Sequence, residues 1–226
     1  MPRETLSRDQ IVRAAVDLLD SEGIDGLSMR RLGQRMGSAA TAMYWHVAGK
    51  ESLVVLAADE VWGELDFRDP AVVGWRAAAR ALVHDTYALG RRHPWLVPAI
   101  STHFVYGTGM AAFQEHSYAI YEAAGFSGRE LDRAVNASFT FVVGTLLAEA
   151  SRATIADARV PRGKGDQEPP PSVAEWARDI ASQFPRLRAR MEEQQAEDPA
   201  VAAAEAFEFG VEAILDGLEA RLGARG

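Results

Sequence analysis

Apolar residues recur along this chain at spacings of three and four, the period of amphipathic helices, and no segment shows a convincing strand alternation. The first stripe consists of five residues: Ile11, Ala14, Ala15, Leu18 and Leu19. Ser7 and Gln10 match a capping box before it, and Gly23 stands where a left-handed residue commonly ends a helix. We therefore predict a first helix between Ser7 and Gly23.

Two shorter helices are predicted directly after the first. Ser28 is a predicted N-cap for one of them, which ends near Gly37. The next spans about residues 39–47 and turns Met43 and Val47 inward, because positions four apart share a helix face. Two short helices joined by a tight, glycine-containing turn and braced by a longer helix form a helix-turn-helix.

The rest of the chain continues the helical pattern. A fourth helix begins at Lys50 and is broken at Asp69 and Pro70. Later helical segments are predicted at six places: residues 75–92, 93–106, 110–125, 127–147, 176–195 and 201–222. Residues 154–173 are polar and rich in proline and glycine, which predicts a mobile loop. The predicted fold class is therefore all-α.

The composition is ordinary for a globular chain, with 48% hydrophobic and 25% charged residues. The chain has no cysteine, which excludes a disulfide framework and thiolate chemistry. No uninterrupted apolar run approaches the roughly 20 residues of a bilayer span, and residues 1–10 lack the apolar core of an export signal. We therefore expect a cytoplasmic protein with no membrane partner.

The net charge of −8 is unfavourable for a nucleic-acid binder, but its distribution changes that picture. All six acidic residues among the first 50 lie at or before Asp25. The segment from Gly26 to Lys50 then holds four arginine or lysine residues, one histidine and no acid. A surface that faces phosphates needs this combination, so the segment is a candidate DNA interface.

Within that segment, small residues at positions 38–42 precede the adjacent rings of Tyr44, Trp45 and His46. Small residues let a helix approach another surface closely, and the second helix of a DNA-reading helix-turn-helix enters the major groove with its N-terminal residues first. Lys50 and the first N–H groups of the fourth helix would add a phosphate clamp. Trp45 is interpreted as a core residue.

Two runs, IVRAAVDLLDSEGIDGLSMRRLGQRMG at residues 11–37 and MYWHVAGKESL at residues 43–53, resemble the TetR (tetracycline-repressor) family of bacterial transcriptional regulators. The run YWHV followed by Lys50 is similar to the tetracycline-repressor branch of that family. The resemblance is strong in the N-terminal quarter and continues as a matching layout beyond it. It implies a two-headed homodimer that releases DNA when a small molecule binds the C-terminal domain.

Seven residues are predicted to contact DNA, most of them by position in that family: Arg30, Ala40, Thr41, Ala42, Tyr44, His46 and Lys50. Ala40 and Ala42 fall where the tetracycline repressor carries base-reading side chains, and alanine offers a thymine methyl only an apolar contact. We therefore expect a different operator, read in part through DNA shape. The alternatives are that Tyr44 is a packing ring, His46 a solvated residue and Lys50 an ordinary surface lysine.

Five residues of the C-terminal part are candidates for an effector cavity: Tyr87, His103, Phe104, Phe113 and Phe139. Core packing explains the aromatic ones nearly as well, because pockets and cores share composition. Seven apolar residues are candidates for a dimer interface built as a four-helix bundle: Phe139, Val142, Leu146, Phe207, Val211, Ile214 and Leu218. The same stripes could instead build an intrachain core.

Four later histidines lack the spacing of metal ligands, so neither a metal nor a cofactor is predicted: His84, His93, His103 and His116. No G-x-S-x-G elbow, phosphate-cradling glycine loop or zinc signature is present in the sequence, so an enzyme is not predicted.

We predict a ligand-responsive transcriptional regulator, a repressor that a small molecule releases from a palindromic operator and that acts as a homodimer. The predicted division is a helix-turn-helix DNA-binding domain at residues 1–49, a connecting helix at 50–68, and a larger helical domain for effector binding and dimerisation at 69–226. The alternative is a helical protein-interaction adaptor that has lost DNA binding.

Overall fold

A computed structural model describes residues 6–156, 172–194 and 197–224, with the backbone alone for residues 40 and 153–156. Within these ranges the chain forms helices and no strand, which confirms the all-α class. The helices are α1 Arg8–Gly26, α2 Met29–Arg35, α3 Ala40–Met43, α4 Lys50–Trp62, α5 Pro70–Val73, α6 Trp75–Arg92, α7 Leu96–Thr102, α8 Thr108–Ala123, α9 Gly128–Ala156, α10 Val173–Ser182, α11 Pro185–Gln194 and α12 Pro199–Gly223.

The predicted helix starts near the N-terminus are confirmed by their hydrogen bonds. The Ser7 hydroxyl accepts from the Gln10 N–H at 3.2 Å, and the Gln10 side chain accepts from the Ser7 N–H at 2.9 Å, which completes the capping box. Ser28 caps α2 by accepting from the Arg31 N–H at 3.2 Å. Gly23, with φ of 68°, interrupts the regular part of α1 near the predicted end.

Several predicted boundaries are wrong. The fourth helix, predicted to continue to the break at Asp69, ends at Trp62. The third helix ends at Met43 rather than near residue 47, and the chain continues as a turn. The segment predicted as residues 93–106 is helical only in α7. The predicted loop at 154–173 is shortened from both sides, because α9 extends to Ala156 and α10 begins at Val173. Residues 157–171 lie outside the described ranges.

The described chain divides into two compact units. Unit 1 runs to Leu146 and resumes at Ile214, and unit 2 is Leu147–Ala213. In unit 1, α4 packs against α1 on one side and against α8 on the other, while α6 also packs against α8. The joint core of α1 and α4 includes side chains with almost no exposure: Ile11, Ala15, Leu19, Leu53, Val54 and Ala57. Because α4 lies between them, it connects the helix-turn-helix to α8.

Polar contacts also connect the N-terminal helices to the rest of unit 1. Asp20 of α1 accepts a hydrogen bond from Trp95 Nε1 at 2.6 Å, and the same carboxylate oxygen lies 2.7 Å from His93 Nδ1. The other ring nitrogen of His93 lies 3.3 Å from Glu64, just after α4. His93 and Trp95 are both buried, so this cluster fixes the junction between α6 and α7 against α1.

One helix in the described ranges, Gly128–Arg152 of α9, is long and apolar enough on average to cross a bilayer. Uninterrupted apolar runs did not predict such a helix, because polar residues are scattered among the apolar residues of α9. Core helices of globular proteins satisfy the same length and composition. Only 22% of its most apolar window is buried, so α9 has an apolar surface that a single protomer leaves open.

Candidate nucleic-acid interface and effector cavity

The predicted DNA-binding residues follow one another along the helix-turn-helix and are mostly exposed. Arg30 is exposed in the first turn of α2, and Ala40 is the first residue of α3. Thr41 is exposed, Ala42 is partly buried, and Tyr44 and His46 are exposed in the turn that follows. Lys50 is the first residue of α4. We call this set, together with Trp45, the head surface.

The interpretation of Trp45 as a core residue is wrong, because its side chain is 89% exposed. Met43 and Val47 are the residues that point inward, as predicted, and both are buried. Trp45 stands two residues from each, which places it roughly 200° around a helix axis and therefore on the solvent side. Beside it, the Tyr44 ring is 56% exposed, so two large rings of the head surface face solvent.

The cations of the segment from Gly26 to Lys50 are not equivalent. Arg31 forms an ion pair with Glu22, and the guanidinium of Arg35 lies 3.6 Å from the Asp17 carboxylate. Acidic residues of α1 therefore neutralise part of the positive charge of this segment. In the described chain no carboxylate lies within 4.0 Å of the basic groups of Arg30 or Lys50. These two charges therefore remain available for phosphates.

His103, predicted as an effector ligand, contacts the first turn of α4 instead. Its Nε2 lies 2.6 Å from the carboxylate of Glu51, the neighbour of Lys50, and its Nδ1 lies 2.9 Å from the Thr102 hydroxyl. Phe104 is exposed and stacks on Tyr106 with ring centroids 6.0 Å apart. Tyr87 lies beneath the guanidinium of Arg91. None of the three predicted residues lines the cavity described next.

A small cavity of about 20 Å³ lies between α6, α8 and the first half of α9 in unit 1. Phe113 and Phe139, both predicted, line it, and their ring centroids are 5.6 Å apart. The other lining residues are Ala79, Leu82, Val83, Thr86, Ser117, Tyr121, Val135, Ser138 and Val142. None of these described lining residues is charged. This space is a candidate site for an effector, and we call it the effector cavity for that reason.

The polar groups of the effector cavity are hydroxyls. The Tyr121 and Ser138 oxygens are 2.5 Å apart, and Ser117 donates to the Phe113 carbonyl at 2.7 Å. Burial raises the pKa of the Tyr121 phenol, only partly opposed by the bond to Ser138, so the ring stays neutral at physiological pH. Thr86 is 4% exposed, and its Oγ1 has no hydrogen-bond partner in the described chain. A buried hydroxyl without a partner is costly, which marks a position where a ligand atom would be stabilised.

The predicted dimer residues are largely occupied within one protomer. Phe139 and Val142 line the effector cavity, and Leu146 packs against Gly90. Phe207, Val211 and Leu218 are buried, whereas Phe139 and Ile214 are partly exposed. The apolar residues that the helical spacing predicted for the dimer interface therefore mostly face the interior of the protomer. In unit 2, the large exposed apolar side chains that the prediction omitted include Leu147 of α9 and Phe209 of α12.

Among the described residues, no group of three or more His, Cys, Asp or Glu side chains is arranged to hold a metal ion. His93 and His103 pair with carboxylates of other helices. Burial lowers the pKa of His116, with Asp69 acting in the opposite direction.

Comparison with known proteins places these features in a family. Residues 11–57 match the family model described as bacterial regulatory proteins of the tetR family, and residues 69–222 match the tetracyclin repressor-like C-terminal domain. The chain is 32% identical to the HTH-type transcriptional repressor DrrR1 of Streptomyces coeruleorubidus over 96% of this chain and 79% of that protein. It is 30% identical to the class A tetracycline repressor protein of Escherichia coli, over 96% of this chain and 92% of that protein.

Solved structures agree on the fold. ActR, a TetR family protein of Streptomyces coelicolor crystallised in complex with actinorhodin, superposes with a TM-score of 0.76 at 23% identity, covering 99% of this chain and all of ActR. A possible TetR family transcriptional regulator of Streptomyces coelicolor superposes with a TM-score of 0.71 at 26% identity, covering 95% of this chain and 99% of that one. The chain belongs to the TetR family of transcriptional regulators, which are not enzymes and whose members bind operator DNA, respond to small-molecule effectors and dimerise.

Proposed function

We propose that this protein represses transcription by placing its head surface in the major groove of a palindromic operator, and that an uncharged small molecule in the effector cavity releases it. The observation that carries the proposal is the exposure of adjacent side chains on a helix-turn-helix, above all Tyr44 and Trp45. Large rings that face solvent expose apolar surface to water, which is unfavourable. Contact with a duplex would remove that surface from water. A cytoplasmic location follows from an operator as the target.

The proposed docking assigns roles by side-chain chemistry. Arg30 and Lys50 bind phosphates, because neither cation is neutralised by a carboxylate in the described chain. The Tyr44 hydroxyl donates to a third phosphate, and Trp45 packs on the sugar or the groove edge. Thr41 is the exposed residue of α3 with a hydrogen-bonding side chain, so direct base reading rests mainly on it. Ala40 and Ala42 allow close approach and apolar contact with thymine methyl groups.

The effector class follows from the lining of the effector cavity. A charged ligand would lose its hydration without gaining an opposite charge, because no described lining residue is ionised. Phe113, Tyr121 and Phe139 offer ring faces and edges, and the Thr86 hydroxyl offers one unsatisfied hydrogen-bonding position. The proposed effector is therefore an uncharged molecule with a polar group directed at Thr86, and a ring-containing one enters only by displacing the lining side chains, because the cavity itself measures about 20 Å³.

The proposed homodimer uses the surfaces of α9 and α12 that one protomer leaves exposed. Leu147 is 55% exposed and Phe209 is 78% exposed, both in unit 2. A second copy that covers them would bury apolar surface of a kind that monomers rarely expose. Of the residues predicted from sequence, Phe139 and Ile214 are partly exposed and so retain surface for this role. The proposed domain division stays at residues 1–49, 50–68 and 69–226. The start of the C-terminal family model at residue 69 supports the last boundary, whereas the N-terminal model extends to residue 57 and includes part of α4.

The test is selection of duplexes from a random pool, with the DNA flanking the protein's own gene added to it. We expect the wild-type protein to enrich an inverted repeat whose half-sites are separated by about one helical turn or a multiple of it. The variant Tyr44→Ala/Lys50→Ala, which alters only exposed or half-exposed side chains, is expected to enrich nothing. Failure of the wild type to enrich any duplex at physiological salt would favour the helical adaptor instead.

A further inference from the structure

We propose that Asp59, Trp62 and Gly109 form the joint through which occupancy of the effector cavity moves the helix-turn-helix, with Asp59 and Gly109 as its positioning residues. This inference rests on the function proposed above. It names the residues through which effector binding weakens operator binding in this chain, and membership of the family does not identify those residues. We call these three residues, with Gly107, the α4–α8 joint.

The first component of the joint is a helix cap supplied from a distant part of the chain. The residue before α8 is Gly107, which has no side chain to cap the helix. The carboxylate of Asp59 takes that role, since its Oδ1 accepts from the Met110 N–H at 3.0 Å across a separation of 51 residues. A carboxylate at a helix N-terminus is also favoured by the helix dipole. The start of α8 therefore depends on the position of α4.

The second component is direct backbone contact. A Cβ added at Gly109 would lie 2.2 Å from the Asp59 carbonyl oxygen and 2.8 Å from the Gly63 nitrogen. At Gly107 it would lie 2.2 Å from the Asp59 carboxylate. No side chain separates α8 from the end of α4 at this crossing, so a shift of one helix cannot be absorbed by rotamer changes.

The third component joins α4 to the effector cavity itself. The Trp62 ring is 2% exposed, and its centroid lies 4.8 Å from that of Phe113 and 6.1 Å from that of Phe139. Phe113 and Phe139 line the cavity. On α8, the cavity residues Phe113, Ser117 and Tyr121 recur every four positions and so share one helix face. A ligand that displaces this face therefore displaces the helix seated on α4.

The geometry of α4 turns a small displacement into a larger one at the head surface. Asp59 and Lys50 are nine residues apart along α4, a distance of about 14 Å along a helix axis. A tilt of about 5° around the joint then moves Lys50 by roughly 1 Å. Because a dimer must match two half-sites at once, a displacement of this kind in both heads weakens operator binding.

The experiment uses a cavity-filling substitution in place of a ligand, and a duplex that the wild-type protein itself selects from a random pool. Ser117→Met fills the effector cavity from α8, and Asp59→Ala removes the cap. We expect Ser117→Met to weaken operator binding by about tenfold when Asp59 is present and by less than about threefold when it is replaced by alanine, since coupling of this size is typical between linked sites.

Asp59→Asn is the matched control, because its amide oxygen still accepts from the Met110 N–H. We expect it to restore the tenfold effect of Ser117→Met. If Asp59 only stabilises the fold, replacing it would change the midpoint of thermal unfolding. The factor by which Ser117→Met weakens operator binding would then stay the same. Ala79→Leu fills the same cavity from α6 and supplies a second cycle should Ser117→Met fail to fold.

Additive effects of the two substitutions, or no effect of either cavity-filling substitution on operator affinity, would overturn the joint while leaving the proposed function intact. Failure of the wild-type protein to select any duplex is a different result, because it removes the proposed function itself.

Discussion

The head surface and the effector cavity lie in the same compact unit but differ in exposure, charge and span along the sequence. The head surface is a run of mostly exposed side chains with two cations that no carboxylate neutralises in the described chain. The effector cavity is apolar, without charged side chains among its described lining residues, and assembled from α6, α8 and α9. The difference indicates how each recognises its partner: the first attracts a charged polymer through water, and the second selects a small molecule by excluding water.

The largest expected effect is at the two exposed rings. Replacing Tyr44 with alanine removes a hydrogen bond to a charged phosphate, worth about 1.5–3 kcal/mol, so operator binding should weaken by roughly 10- to 100-fold. Trp45→Ala is expected to act in the same direction. The matched control Tyr44→Phe separates the hydroxyl from the ring. Fluorescence anisotropy with a labelled operator measures the dissociation constants, and wild-type affinity in both alanine variants would show that the rings do not face DNA.

The next effect concerns the dimer. Phe209→Glu places a charge on the exposed apolar surface of α12 and should weaken self-association by roughly 10- to 100-fold, because an apolar ring of this size contributes about 1.5–3 kcal/mol when buried. Ala204→Glu, on another exposed part of the same helix, is the control. Analytical ultracentrifugation over a range of concentrations reports both. Equal dimerisation of the two variants would move the interface elsewhere.

A smaller effect is expected at the unpartnered hydroxyl of the effector cavity. Thr86→Val keeps the side-chain shape but removes Oγ1, and the free energy of unfolding should rise by about 1 kcal/mol because a buried unsatisfied group is eliminated. Thr86→Ser keeps the hydroxyl and should not be stabilised. Urea denaturation measures the difference. A destabilised Thr86→Val protein would mean that the hydroxyl has a partner in solution.

These two regions also differ in how far the sequence alone predicts them. The fold that carries the head surface could be predicted because its determinants are local. The caps at Ser7 and Ser28 and the inward pair of Met43 and Val47 depend on spacing within short segments. The exposure of Trp45 could have been predicted as well, since it is two residues from Met43 and two from Val47 along the chain, which places it on the opposite, solvent-facing side.

The effector cavity could be predicted only in part, because it depends on which faces of three distant helices meet. Sequence composition selected Phe113 and Phe139, which line this cavity, but could not show that His103 contacts Glu51 on α4. It also could not find Thr86, since an unsatisfied hydroxyl exists only in the folded environment. The same holds for Asp59, whose capping partner is 51 residues away.

The salt dependence of operator binding in the wild-type and Lys50→Ala proteins decides whether the head surface binds phosphates through unneutralised cations. The logarithm of the association constant should fall linearly with the logarithm of salt concentration in both proteins, with the slope of Lys50→Ala shallower by about one unit for each lost phosphate contact. Identical slopes and affinities in the two proteins would show that Lys50 does not bind a phosphate and that the head surface is not the DNA interface.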